Sequence, residues 1–257
     1  MDPTQAASIF KRLRDEPHLR DALERLLKSI ELPRGVRLEV QGSIARGDVD
    51  AYSDIDVRFD GDRTGVAHVR RAFPNVLAGL GTVLSTFPAT HLGLGALLVT
   101  FIEVDGRVIK VDADFSPEDA SDAGETDAER LRDGDRKFVG WTWYAFAKIA
   151  RGELFESADA LDVMRTRALL PLLLHVMQLP ATGYRYLERR LSQAAQAHLR
   201  ATYPGALERD ELLRALSAMT DYYHDLRQPD LSEARFERMR VLVRRGAAAL
   251  AAARPAR

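Results

Sequence analysis

Asp54 and Asp56 stand one residue apart in the segment Ser53-Asp54-Ile55-Asp56-Val57, and ten residues lie between Ser43 and Asp54. At that spacing, these residue types permit phosphate and metal chemistry. Side chains alternate along a strand, so two aspartates separated by one residue share a face and bring their carboxylates together. Like charges at that range repel, and a divalent cation between them relieves the repulsion. Magnesium prefers oxygen ligands and combines one or two carboxylates with substrate phosphates and water. Two such ions can position the attacking and leaving oxygens of an in-line displacement. Upstream, Gly42 lets the backbone approach a phosphate closely and the Ser43 hydroxyl adds a donor. A helix starting at this point would add free N–H groups and a dipole that favour an anion.

The elements that must hold these groups follow from the periodicity. Ile9, Leu13, Leu19, Leu23, Leu26 and Leu27 recur at helical spacing, which predicts two short helices across residues 3 to 30 with a break near Pro17. Val36, Leu38 and Val40 then alternate with Arg37, Glu39 and Gln41, a strand running into the turn at Gly42 and Ser43. In a second strand, Ile55, Val57 and Phe59 share one face while Asp54, Asp56 and Arg58 share the other. A helix is expected around Gly65 to Phe73.

Residues 96 to 104 and 107 to 115 flank Asp105-Gly106, the dipeptide type suited to a two-residue hairpin turn. A tight turn fixes the register, placing Asp112 opposite Val99 and Asp114 opposite Leu97. Both aspartates then share a face, with Ile109, Val111, Ala113 and Phe115 on the other. The register alone leaves both as candidates for a third carboxylate. From Ser116 to Asp135 the chain turns polar and acidic and reads as a solvated linker. Helical periodicity follows over residues 137 to 151, 158 to 178, 184 to 201, 208 to 226 and 231 to 252. The expected fold is α+β: a mixed sheet with helices over residues 1 to 117, then an all-helical domain over 118 to 257.

The turn and the paired aspartates resemble the nucleotidyltransferases of the DNA polymerase β-like superfamily, whose signature is a Gly-Ser turn followed after about ten residues by Asp-x-Asp. The resemblance implies that Gly42 and Ser43 bind the triphosphate, that Asp54 and Asp56 hold two magnesium ions, and that Arg46 steadies the turn or a phosphate. Ser53, beside the pair, joins the nucleotide-binding set. Similar antibiotic-modifying members carry an acidic residue after a short apolar-basic run like Val108-Ile109-Lys110-Val111, which favours Asp112 as third metal ligand and catalytic carboxylate, with Asp114 as the fallback. The general base stays open between this carboxylate, Glu103 and a carboxylate of the helical half. Trp141, Trp143, Tyr144 and Lys148, preceding Arg151-Gly152-Glu153, are similar to the aromatic helix of aminoglycoside- and lincosamide-modifying members, in which a lysine reaches the triphosphate. That implies the role for Lys148, and a cleft between the two domains for NTP, expected to be ATP, and a small acceptor.

The 37 lysines and arginines against 38 acids leave a net charge of −1, which argues against long polynucleotides as partners. The absence of cysteine excludes thiolate zinc, disulfides and a cysteine nucleophile. Residues Met1 to Lys11 lack the apolar stretch of a secretion signal, and no apolar run is long enough to cross a bilayer, so a soluble cytoplasmic protein is expected. A homodimer is left open. The six histidines show no zinc-like spacing, and Arg235, Arg238, Arg240, Arg244 and Arg245 read as a solvated face. The alternative function is that of the nucleotidyltransferases in toxin–antitoxin pairs, which act on a protein or RNA partner.

Overall fold

The computed structural model describes residues 3–89, 94–115, 127–180, 183–227 and 233–252. The chain divides into two compact units, Met1–Gly124 and Glu125–Arg257. It is α+β, with one five-stranded mixed sheet in the first unit and helices throughout the second. No helix among the described residues is long and apolar enough to cross a membrane.

In the first unit, α1 (Pro3–Arg12) and α2 (Pro17–Ser29) are separated where Pro17 starts the second helix, a position at which its missing N–H is harmless. Strand β1 (Arg37–Val40) leads into the single-turn helix α3 (Gly42–Arg46), then β2 (Ile55–Asp60), α4 (Arg63–Leu80), β3 (Thr82–Ala89), β4 (Leu94–Val104) and β5 (Arg107–Asp114). The strands lie in the order β1-β2-β5-β4-β3. Only the β2–β5 pair is parallel, and the helix and strands between them in sequence supply the crossover a parallel pair requires.

The hairpin register is the one the turn dictates: Asp112 pairs with Val99 and Asp114 with Leu97. Asp105 and Gly106 adopt φ angles of 50° and 80°, the positive values of that turn. Two features of this unit depart from the sequence expectation. Helix α4 continues through Pro74 to Leu80, because Leu77 and Leu80 extend its buried stripe. Strand β3 was not expected; it contains Pro88, which is tolerated at the sheet edge because one side of the strand has no ladder to join.

Below the sheet, Phe59 of β2, Phe73 of α4 and Phe115 after β5 form a closed aromatic cluster with centroid separations of 5.5, 5.0 and 5.5 Å. All three are essentially inaccessible to solvent. The cluster anchors β2 to β5 from the apolar face, which leaves the opposite face of both strands to carry Asp56 and Asp112.

In the second unit, α5 spans Asp127–Arg151, so the later half of the acidic stretch is helix and not linker. Two of its acids are paired: Asp133 with Arg136 and Lys137, and Asp135 with the buried Arg227 at 2.6 and 3.1 Å. Residues 118 to 126 lie outside the described residues. Helix α6 (Leu154–Met164) passes through a π-helical segment, Arg165–Leu169, into α7 (Leu170–Val176). Pro171 explains the irregularity, because it cannot donate to the Arg167 carbonyl and its ring clashes there; the Leu170 N–H bonds Arg165 five residues back. Helices α8 (Leu187–Arg190), α9 (Gln193–Ala201), α10 (Arg209–Leu226) and α11 (Glu233–Ala252) complete the unit. Arg240 and Arg244 of α11 both bond Asp221 of α10, at 2.6 and 2.9 Å, so this part of the basic run is a helix-pairing seam rather than a solvated face.

Truncating Phe73 to Ala leaves a cavity between two rings, and the expected loss is about 3–5 kcal/mol in urea denaturation, with Phe73→Leu losing less. An effect below about 1 kcal/mol would show that the aromatic cluster does not hold the sheet.

Candidate functional site

The parallel pairing of β2 with β5 builds the site. Asp56 is the register partner of Asp112, so these carboxylates are neighbours on one face of adjoining strands. Asp54, just before β2, joins them through Lys110, whose ammonium donates to Asp54 Oδ2 and to Asp112 Oδ2 at 2.8 Å each. Asp114 lies two residues beyond, with Arg58 as register partner and its carboxylate 3.9 Å from that guanidinium. Of the two aspartates the hairpin register left open, Asp112 is therefore the one placed with Asp54 and Asp56. Glu103 sits opposite Val108, four residues along β4 from the partner of Asp112. That is about 13 Å at the rise of a strand, which takes Glu103 out of the cluster.

Gly42 closes the site from the other side. Its φ is +63°, and a Cβ built on it would lie 1.8 Å from Asp56 Oδ2, so only glycine brings this backbone against the carboxylate. The neighbouring Gln41 N–H donates to the Asp56 carbonyl at 2.8 Å, tying the turn to β2. The first turn of α3 leaves N–H groups without intrahelical acceptors beside this strand end. At its other end, Gly47 adopts a left-handed φ of 94° and donates to the Ser43 carbonyl at 2.7 Å. Arg12 of α1 donates to the Ile44 and Ala45 carbonyls, a cation at the negative end of the helix.

Burial first, then the charges of Asp112 and Asp54, push the Asp56 carboxyl up to about 6, against the pull of Lys110 and Arg46. Burial also raises Asp112, opposed by its ion pair with Lys110. For Lys110, burial alone would lower the ammonium, but Asp112 and Asp54 outweigh it and hold its pKa above the usual lysine value. Asp112 Oδ1 is buried without a hydrogen-bond partner among the described residues. An all-oxygen set of crowded carboxylates with one orphaned buried acceptor fits a hard divalent cation. Among the described residues no three acidic or imidazole groups converge around a common point. The Asp54 and Asp112 Oδ2 atoms both accept from the Lys110 ammonium.

The remaining expected residues are less direct. Arg46 is largely exposed and pairs with Asp48 at 3.2 Å, while its charge still acts on Asp56. The Ser53 hydroxyl accepts from the Asp50 N–H at 2.9 Å and donates to Asp50 Oδ1 at 3.2 Å, so it shapes the turn that delivers Asp54. Lys148 belongs to the second unit, where it bonds Glu153 Oε2 at 2.7 Å beside the Gly152 turn. Two residues were missed, Lys110 and Arg12. Lys110 was accessible to the strand period, being two residues from Asp112 and so on its face. Nothing local marks Arg12, which acts across a long sequence separation. The sequence matches no protein-family model, and comparison with curated proteins finds no match.

Gly42→Ala is expected to lower the melting temperature and expose the site, since the added methyl overlaps Asp56 Oδ2 at a strained φ; Asp56→Ala in the same chain should recover part of the loss. Asp56 gives a second expectation. Its folded pKa lies above its ordinary 3.8, so its contribution to stability is present below about pH 4 and is lost as pH rises through about 6. Asp56→Asn should then stabilise the protein without divalent ions at pH 7.5 by on the order of 2 kcal/mol, with little gain at pH 4. Urea denaturation at the two pH values checks it, and a destabilised variant at pH 7.5 contradicts it.

Proposed function

We propose that the first unit is a nucleotidyltransferase domain that moves a nucleoside monophosphate from an NTP to a hydroxyl of a small acceptor. One observation carries the reading: the parallel β2–β5 pair sets Asp112 beside Asp56, with Asp54 joined to Asp112 through Lys110 and the Gly42 backbone against Asp56. The Asp-x-Asp spacing and the turn are features of sequence. Their meeting with a third carboxylate from a later strand is a feature of the fold, and it is what phosphoryl transfer at a metal-bridged site demands.

Asp54, Asp56 and Asp112 would hold magnesium. When bound there, the ion neutralises phosphate charge and eases departure of pyrophosphate. The chain's own residues supply the rest. Gly42 and Ser43 offer backbone amides and a hydroxyl to the phosphates, and Arg46 adds positive charge at the mouth. The acceptor oxygen attacks the α-phosphorus, the bond to the bridging oxygen breaks, and pyrophosphate leaves with that electron pair. The acceptor proton passes to a carboxylate of the cluster. An aminoglycoside or lincosamide is the acceptor class that the resemblance suggests, with ATP as donor.

A second reading, nucleotide addition to RNA, is favoured by one feature of the second unit. Tyr186 is 58% exposed at a left-handed φ of 56°, with the Arg185 and Arg189 guanidiniums 5.3 and 5.5 Å from its ring. An exposed aromatic flanked by cations is the platform on which an unpaired base stacks.

Pyrophosphate release with Mg²⁺ and ATP, screened over aminoglycosides, lincosamides and short RNAs, separates the two. Turnover is expected with a small-molecule acceptor. Asp112→Asn should lose on the order of 10²- to 10³-fold in kcat, the scale of removing one preorganised charge-stabilising group. Asp114→Asn should keep most activity, because its carboxylate faces Arg58. Equal loss in both variants would break the assignment of Asp112, and turnover only with RNA would favour the second reading.

A further inference from the structure

We propose that Lys110 is the protein's own counter-cation for the carboxylate cluster, and that a divalent ion gains Asp54 and Asp112 only by displacing its ammonium. The inference rests on the cluster being a metal site and goes on to say what sets its affinity.

The geometry begins with strand parity. Lys110 and Asp112 are alternate residues of β5 and so lie on one face, while the parallel register brings β2 alongside with Asp56 opposite Asp112. The lysine stem runs along this face with its side chain 13% exposed, and Nζ reaches both aspartates at 2.8 Å. Each contact is a charge-assisted hydrogen bond of normal length, made where water is largely excluded. Asp54 and Asp112 meet on this ammonium, and Asp56 lies opposite Asp112 in the strand register. Arg46, the other positive charge acting on Asp56, points to Asp48 at the surface.

An ammonium and a dication cannot share the same two carboxylates comfortably. Both are drawn to the same oxygens, and in a site of low effective dielectric they repel each other strongly. Magnesium also demands near-octahedral oxygen geometry at about 2.0–2.1 Å, tighter than the hydrogen bonds Lys110 makes. The two states are therefore alternatives. In one, Lys110 neutralises Asp54 and Asp112 and Asp112 Oδ1 stays orphaned; in the other, the ion takes the carboxylates and the lysine side chain swings away on its flexible stem. Lys110 thus spares the metal-free protein the repulsion of the cluster and weakens its hold on free divalent ions.

Two measurements test this, with Mn²⁺ as the probe. Calorimetric titration of Lys110→Met should show Mn²⁺ binding at least tenfold tighter than in the wild type. The metal-free variant should melt lower than the wild type and recover on adding Mn²⁺. Equal or weaker Mn²⁺ binding by the variant would overturn the proposal, since Lys110 would then support the ion or ignore it. The second measurement uses the wild type and does not depend on the variant folding. Amine labelling followed by peptide mass spectrometry should find Lys110 protected without metal and reactive at saturating Mn²⁺. Unchanged protection at saturation would equally overturn it. If neither wild type nor variant binds Mn²⁺, the metal-site reading itself falls, an outcome distinct from binding without displacement.

Discussion

Negative charge crowded onto the ends of two adjoining strands is the constraint that the rest of the first unit serves. The parallel β2–β5 register sets Asp56 beside Asp112, and the Lys110 ammonium ties Asp112 to Asp54 just before β2. Such a cluster is unfavourable in itself: burial first, then the charges of Asp112 and Asp54, raise the Asp56 carboxyl. It persists because what surrounds it is over-determined. The Phe59, Phe73 and Phe115 rings fasten the strands from below, Gln41 ties the turn to β2, and Gly42 admits the Asp56 carboxylate against bare backbone. Strain gathered in one place and secured elsewhere is the pattern expected of a functional site.

The division of labour among polar residues follows from distance to that cluster. Ser53 and Arg12 act on backbone, one shaping the turn before β2 and the other holding the carbonyl end of α3. Arg46 contributes charge from the surface. In the second unit polar residues chiefly make structure: Asp135 with Arg227, Asp221 with Arg240 and Arg244, and Lys148 with Glu153 join its helices and turns. For Lys148 this is a partner within its own turn, and a role toward phosphate would require that bond to open.

How much of this was legible in the sequence depended on the range of the interaction. The Asp105-Gly106 hairpin was readable to the residue, because a two-residue turn fixes every pair that follows it. The face carrying Asp54 and Asp56 was readable from strand alternation. The choice of Asp112 over Asp114 was not readable from the hairpin, since both share a face; the β2–β5 pairing makes it, across more than fifty residues. Composition misled at the acidic stretch. Asp133 and Asp135 looked solvated, yet a cation four residues away and another across the unit turn them into helix contacts. Helix α4 runs past the expected Phe73 because a buried stripe carries it through Pro74, and β3, which was not foreseen, holds Pro88 at a sheet edge.

The central claim is that the three carboxylates bind a nucleotide through a divalent cation. Calorimetric titration of ATP and GTP with and without Mg²⁺, in the wild type and in the Asp54→Asn, Asp56→Asn double variant, addresses it most directly. The account predicts nucleotide binding that requires Mg²⁺ and is lost in the double variant. Binding that needs no Mg²⁺ and is unchanged by the two substitutions would contradict it.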